Sequence, residues 1–255
     1  MKYHIISLSV LLLFISSCAS KIDFELVPPA GEDYNTELLL SEIATAINTD
    51  PNAGTSRNHY VELYNGTGET VNLGEYAIGY QASTDLTTLA DWTFPSGNFI
   101  TLSGNLKHDT CYVIASPQAN TTAVPRNIEW GTTSTTAANA STPLQLSGNS
   151  AIALLKKDAT GSITLNGNAY KIIDVFGSPL TGRLTATGSS STRNNLIWTV
   201  AGETDTRNRT FWRKKSIKKP TTDWQLAKGT TPIDGEWELS ADRDWKYNNV
   251  GLPTN

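Results

Sequence analysis

Apolar and polar residues alternate with a period of two along much of this chain. In HYVELY, residues 59–64, Val61 and Leu63 point one way and Tyr60, Glu62 and Tyr64 the other, which predicts a strand with two different faces. Asn65-Gly66 and Gly68 then mark a tight turn. LLLSEIAT, residues 38–45, predicts an earlier strand, and short apolar runs at 71–73, 76–80, 99–102, 111–115, 144–146, 151–155, 163–165 and 171–176 predict further ones. Pro95-Ser96-Gly97, Ser103-Gly104-Asn105, Gly148, Gly161 and Gly177-Ser178-Pro179 punctuate the series. Helical periodicity is scarce. Short, closely spaced strands joined by Gly, Pro and Asn turns predict an all-β sandwich or barrel. The lack of strand–helix alternation argues against a parallel α/β sheet. Residues 121–142, rich in Thr, Ala and Asn, and the Ser/Thr-rich residues 182–195 read as loops.

The C-terminal part differs in character. Five of the seven tryptophans fall in residues 195–255, at Trp198, Trp212, Trp224, Trp237 and Trp245. Tryptophans dispersed in this way fold a segment back onto a core. Residues 179–255 therefore read as a Trp-rich extension packed on a sandwich formed by residues 37–178, with no second independent domain.

Residues 1–17 carry the pattern of an export signal: Lys2 gives a short positive start, and an apolar run from Ile5 to Ile15 is broken only by Ser7 and Ser9. That run is shorter than the roughly 20 residues a spanning helix needs. Ile15-Ser16-Ser17-Cys18 resembles a bacterial lipobox, which implies cleavage before Cys18 and lipidation of its thiol. Acyl chains on Cys18 would tether the protein to a membrane without embedding it. Residues 18–36, with Pro28, Pro29 and Gly31, read as the lipidated cysteine and an extended tether. The expected location is the cell envelope, anchored to the outer membrane, on either its periplasmic or its outer side.

Composition narrows the picture further. About 220 residues remain for folding, which permits one large β domain or two small ones. A net charge of −4 argues against a nucleic-acid coat and against a strongly acidic tail. With Cys18 lipidated, Cys111 is the one remaining cysteine and has no intramolecular partner. Its setting in CYVIAS is that of a buried structural thiol.

Several of these pieces occur in a set order: LLLSEIAT, YVELYN before a Gly-containing turn, VNLGEYAIGY, FITLSGN, CYVIAS, SAIALL and IIDVFG. In that order they resemble the lamin tail domain family. FWRKKSI, residues 211–217, is similar to the Arg-containing segment that often follows the domain in bacterial members. The resemblance covers about residues 38–178. It implies an immunoglobulin-like β-sandwich serving as a binding or tethering module on secreted or surface proteins. It also implies no catalytic residues in the domain itself.

Candidate chemistry is thin. Glu42 and Glu62 lie on neighbouring predicted strands; paired carboxylates about 5–9 Å apart in a cleft can act as acid and base. The structural alternative has each facing solvent or taking backbone donors. His59 and His108 are isolated, and with Cys111 they make a poor zinc set. Asn48, Asp50 and Asn52 place alternating oxygens beside Gly54, either as a Ca²⁺ loop or as a plain turn rich in Asx residues; Pro51 and the missing bidentate glutamate weaken the first. No zinc-protease, nucleophile-elbow or P-loop pattern occurs, and the sequence assigns no cofactor and no metal. Arg207, Arg209, Arg213, Lys214, Lys215, Lys218 and Lys219 form the one dense basic run, with Phe211 and Trp212 inside it. Such a run can bind phosphates and stack bases, or it can form a solvated edge strand.

The sequence thus predicts a non-catalytic, lipid-anchored envelope protein. Its partner would be a protein or a polysaccharide, held by loops at one end of the sandwich, with residues 48–58 and 121–142 foremost. The alternative is a nucleic-acid-binding accessory of a secreted nuclease system, acting through residues 207–219.

Overall fold

A computed structural model of the chain describes residues 34–45, 58–82, 91–132, 143–144, 146, 150–179, 199–203, 209–241 and 246–253. The signal segment, Cys18, Asn48, Asp50, Asn52 and Arg207 lie outside the described residues. All described residues belong to one unit, Tyr34–Asn255.

The protein is an immunoglobulin-like β-sandwich. One sheet is built from β1 (Leu39–Thr45), β2 (Tyr60–Asn65), β7 (Thr110–Ala115), β8 (Ile128–Glu129), β12 (Arg209–Arg213) and β13 (Trp237–Leu239), in the order β13-β12-β1-β2-β7-β8. The other holds β4 (Tyr76–Ala82), β5 (Phe99–Thr101), β9 (Ser150–Lys157), β10 (Ile163–Leu165) and β11 (Asn168–Phe176), in the order β10-β11-β9-β4-β5. β3 (Val71–Asn72) and β6 (Asn105–Leu106) form a small ribbon beside them. The pairs are antiparallel except β7–β8, which is parallel.

The core lies between the two large sheets. Leu40, Ile43, Val61, Leu63 and Ile114 enter it from the first, and Ile78, Tyr80, Ile152, Leu154 and Val175 belong to the same buried cluster from the second. The alternation in HYVELY fixes this: Val61 and Leu63 fill the core, so Tyr60, Glu62 and Tyr64 stand on the opposite face. Two glycines have specific tasks. Gly68 closes the turn after β2 at φ 84°, while Asn65 Oδ1 accepts the Thr67 amide at 3.0 Å. Gly79 leaves room for the Phe94 ring, which any side chain on β4 at that point would strike.

The C-terminal part supplies strands as well as tryptophans. β12 pairs with β1 (Glu42 opposite Trp212, Ile43 opposite Phe211), and β13 pairs with β12. The basic run is therefore not a solvated edge strand, because β12 is flanked on both sides. Phe176, Phe211, Trp224 and Trp237 meet in edge-on ring contacts, with centroids 5.0–5.1 Å from Phe176. Trp224 opens α1 (Trp224–Lys228), whose first amides are capped by Asp223.

A buried ion pair ties the two sheets together. β1 bulges between Leu40 and Glu42, and β11 bulges between Ile172 and Asp174. Asp174, fully buried, accepts the Leu40 amide at 2.9 Å, the Thr221 amide at 3.1 Å and Arg213 Nη1 at 3.1 Å. Bulges release backbone groups from the ladder, and Asp174 takes one of them. Arg213 also donates to Glu236 at 2.5 Å and lies 5.0 Å from the Trp237 ring.

Two short predicted strands differ in the structure. Of residues 71–73, Val71–Asn72 form β3, and Leu73 instead opens a single 3₁₀ turn, Leu73–Glu75, capped by Asn72. Leu144 lies in a turn at φ 53°; its carbonyl and the Leu146 amide both contact His59 Nδ1, at 2.9 and 2.8 Å, in place of a sheet ladder.

Candidate functional site

The outer face of the six-stranded sheet carries the most unusual chemistry. Register places Glu238, Trp212, Glu42, Glu62 and Val113 in one row across β13, β12, β1, β2 and β7. Three of the five are glutamates, and Glu42 and Glu62 are fully buried. What buries them is residues 246–253. This segment meets β12 where the Lys246 amide donates to Thr210 Oγ1 at 3.3 Å. It meets β1 where Asn249 Nδ2 donates to Glu42 Oε2 at 3.4 Å, and β2 where the Gly251 amide donates to Glu62 Oε2 at 2.7 Å. Val250 and Tyr247 complete a second apolar cluster there with Ala44, Tyr60, Val113, Ala115, Ala119 and Val124.

Each carboxyl has its own donors. Tyr60 Oη donates to Glu42, and Ser41 Oγ to Glu62 at 2.8 Å. Burial, and then the neighbouring Glu62, push the Glu42 carboxyl up to about 8. The Tyr60 hydroxyl pulls against that rise, as does the nearby Trp212 indole, although its N–H makes no properly formed hydrogen bond. Burial also raises Glu62, against the pull of the Gly251 amide and the Ser41 hydroxyl. Burial and then Glu62 raise the Cys111 thiol well above the usual cysteine range, so it is inert at neutral pH. The glutamates are thus neighbours, as acid–base work would require, but they lie beneath a covering segment and not in a cleft.

The other predicted residues fall in different places. His59 lies before β2 and His108 beyond its far end, where His108 accepts the Gly68 amide at 3.0 Å and packs edge-on against Tyr34. The two histidines do not meet. Among the described residues, no group of three His, Cys, Asp or Glu could hold a metal ion, and no helix is long and apolar enough to cross a membrane.

The basic run divides into two sets. Arg209 is buried, donating to the Ser240 carbonyl at 2.6 Å and pairing with Glu203 at 3.4 Å. Arg213 is consumed by Asp174 and Glu236. Lys214 Nζ donates to the carbonyls of Pro232, Ile233 and Gly235. Lys215 and Lys219 are exposed and Lys218 is half-buried. The described residues therefore offer a phosphate three lysines, not the six cations that the sequence places between 209 and 219.

The two expected binding loops do have neighbouring flanks. The Asn120 amide donates to Asn58 Oδ1 at 2.8 Å, and the Ser116 amide to the His59 carbonyl at 2.9 Å. His59 Nδ1 in turn lies within hydrogen-bond reach of the Leu144 carbonyl and the Leu146 amide, donating to the first or accepting from the second according to its tautomer. Asn58 and His59, which follow residues 46–57, thus meet Ser116 and Asn120 on one side and Leu144 and Leu146, which follow residues 133–142, on the other. Sequence reasoning missed Tyr60, Trp212, Asn249, Gly251 and Glu238 as neighbours of the glutamate pair. The period-two pattern of β2 put Tyr60 and Glu62 on one face, but nothing local announced residues 246–253.

The described residues thus form a two-sheet immunoglobulin-like sandwich whose carboxylate pair is sealed from solvent. Residues 36–178 match the model of the Lamin Tail Domain, more than half of the chain, and the protein belongs to that family. The lamin tail domain is not a known enzyme family. No curated protein matches the chain. Among solved structures it is similar to a DUF4876 family protein from Bacteroides thetaiotaomicron VPI-5482. The two share 13% identity at a TM-score of 0.44, over 86% of this chain and 75% of that one.

Proposed function

We propose that this is a non-catalytic, lipid-anchored envelope protein whose lamin tail domain holds a protein or polysaccharide partner with the loops at one end of its sandwich. The observation that carries the reading is the meeting of the two loop flanks, through Asn58–Asn120 and through His59 with Leu144 and Leu146. Loops set on a rigid sandwich supply recognition without disturbing the core. The anchor rests on the Ile15-Ser16-Ser17-Cys18 sequence. The three lysines left free make nucleic acid the weaker reading.

The test is cross-linking of intact bacterial cells expressing the tagged chain, beside a Cys18→Ala control, with palmitate labelling in parallel. The expected result is label on the parent chain alone, with a partner captured by the parent and lost when residues 133–142 are replaced by a Gly/Ser stretch. Equal labelling of the Cys18→Ala chain would remove the anchor. Capture that ignores the loop replacement would remove the loop end as the binding surface.

A further inference from the structure

The covering segment leaves one corner of the outer sheet face open. It meets β12 at Thr210 and then runs over β1 and β2, so Trp212, two residues along β12, stays half-buried at its margin. Around Trp212 an open groove of about 440 Å³ is lined by Arg213, Lys214, Lys215, Ser216, Glu238 and Asn249, of which Arg213 is held by Asp174 and Glu236 and Lys214 by the carbonyls of Pro232 and Ile233. That volume falls within the roughly 300–1,000 Å³ of small-ligand sites.

The groove is chemically mixed. The Trp212 indole nitrogen is turned into the protein toward Glu42, so the part of the ring left at the groove is carbon. Lys215, Ser216 and Glu238 are exposed and have no partner among the described residues, and Asn249 uses only its Nδ2, on Glu42. An aromatic carbon surface ringed by an ammonium, a hydroxyl, a carboxylate and an amide oxygen suits a ligand that has an apolar face and many hydroxyls at its rim. A sugar ring is such a ligand. A nucleic-acid strand fits less well, because a phosphate over Trp212 would meet Glu238 beside it.

We infer that the groove at Trp212 is a binding site for a neutral oligosaccharide, with a sugar ring on the carbon surface of Trp212 and its hydroxyls on Lys215, Ser216, Glu238 and Asn249. Both signs of charge are present to orient hydroxyls, which donate to Glu238 and accept from Lys215. The site lies on the sheet face, and its fate is separate from that of the loop end.

The experiment is titration calorimetry on the full chain in a sugar-free zwitterionic detergent, with maltohexaose, cellohexaose and mannohexaose as probes and a single-stranded oligothymidylate for comparison. At least one hexasaccharide should bind saturably. Trp212→Ala should weaken it by about tenfold or more, Glu238→Ala by several-fold, and Trp212→Phe by little. If Trp212→Ala fails to fold, Glu238→Ala and Lys215→Ala, both at exposed positions, decide. The inference is overturned if none of the three sugars binds, if the oligothymidylate binds more tightly than all of them, or if affinity survives these substitutions unchanged. Replacing residues 133–142 should leave sugar affinity intact, so failure here and failure of the loop-end reading are told apart.

Discussion

Glu42 and Glu62 stand directly opposite each other on neighbouring strands, both fully buried, one receiving the Tyr60 hydroxyl and the other the Gly251 amide. Two like charges at such a spacing, out of water, cannot both be ionised cheaply. The outer face of the sheet thus keeps a proton that the unfolded chain gives up.

The first prediction is a pH dependence of stability. The Glu42 carboxyl is raised from 4.5 to about 8, so the folded state binds more protons between those values. Its contribution is full below pH 4.5 and is lost as pH rises toward 8, with a limiting slope of about 1.4 kcal/mol per unit. Glu42→Gln keeps the shape and removes the titration. Thermal melts from pH 4 to 9 should show a shallower decline for the variant and a higher Tm than the parent above pH 8. Parallel curves would contradict the assignment.

Cys111 reports on the covering segment. On a Cys18→Ala background it is the sole thiol, buried beside Glu62. Iodoacetamide should modify it slowly near neutral pH, and about tenfold or more faster in a chain ending at residue 245 that still melts cooperatively. Equal rates would mean that residues 246–253 do not shield it.

Asp174 and Arg213 should be strongly coupled. Removing one partner strands a buried charge, and Asp174→Ala or Arg213→Met should each cost about 3–5 kcal/mol in urea unfolding. The double variant should cost clearly less than the two losses together. Simple additivity would show that the pair acts through separate contacts.

Much of the sandwich was legible in the sequence. The strands in LLLSEIAT, HYVELY, CYVIAS, SAIALL and KIIDVF carry β-branched and aromatic residues over a visible period, and each lies within or beside an observed strand. What escaped was non-local. β8 and β13 are two and three residues long, too short for periodicity to register. The alternation of β2 marks two faces but cannot say that both are covered, and the cover comes from a segment more than 180 residues away. Arg213 read as one cation of a basic run; only its position in the fold makes it the partner of Asp174. The candidate site was half visible for the same reason, since Glu42 and Glu62 stood out and the residues that seal them did not.

The pairing of β12 with β1 also orders events in time. The family match ends at residue 178, yet β1 has a bare edge until residues 209–213 arrive, and Glu62 lacks its amide donor until residue 251 does. A chain made or threaded from its N-terminus therefore carries an open sheet edge until residue 209 and wet glutamates until residue 251. The sheet closes only once residues 209–213 and 251 have been made, because these contacts join positions more than 160 residues apart.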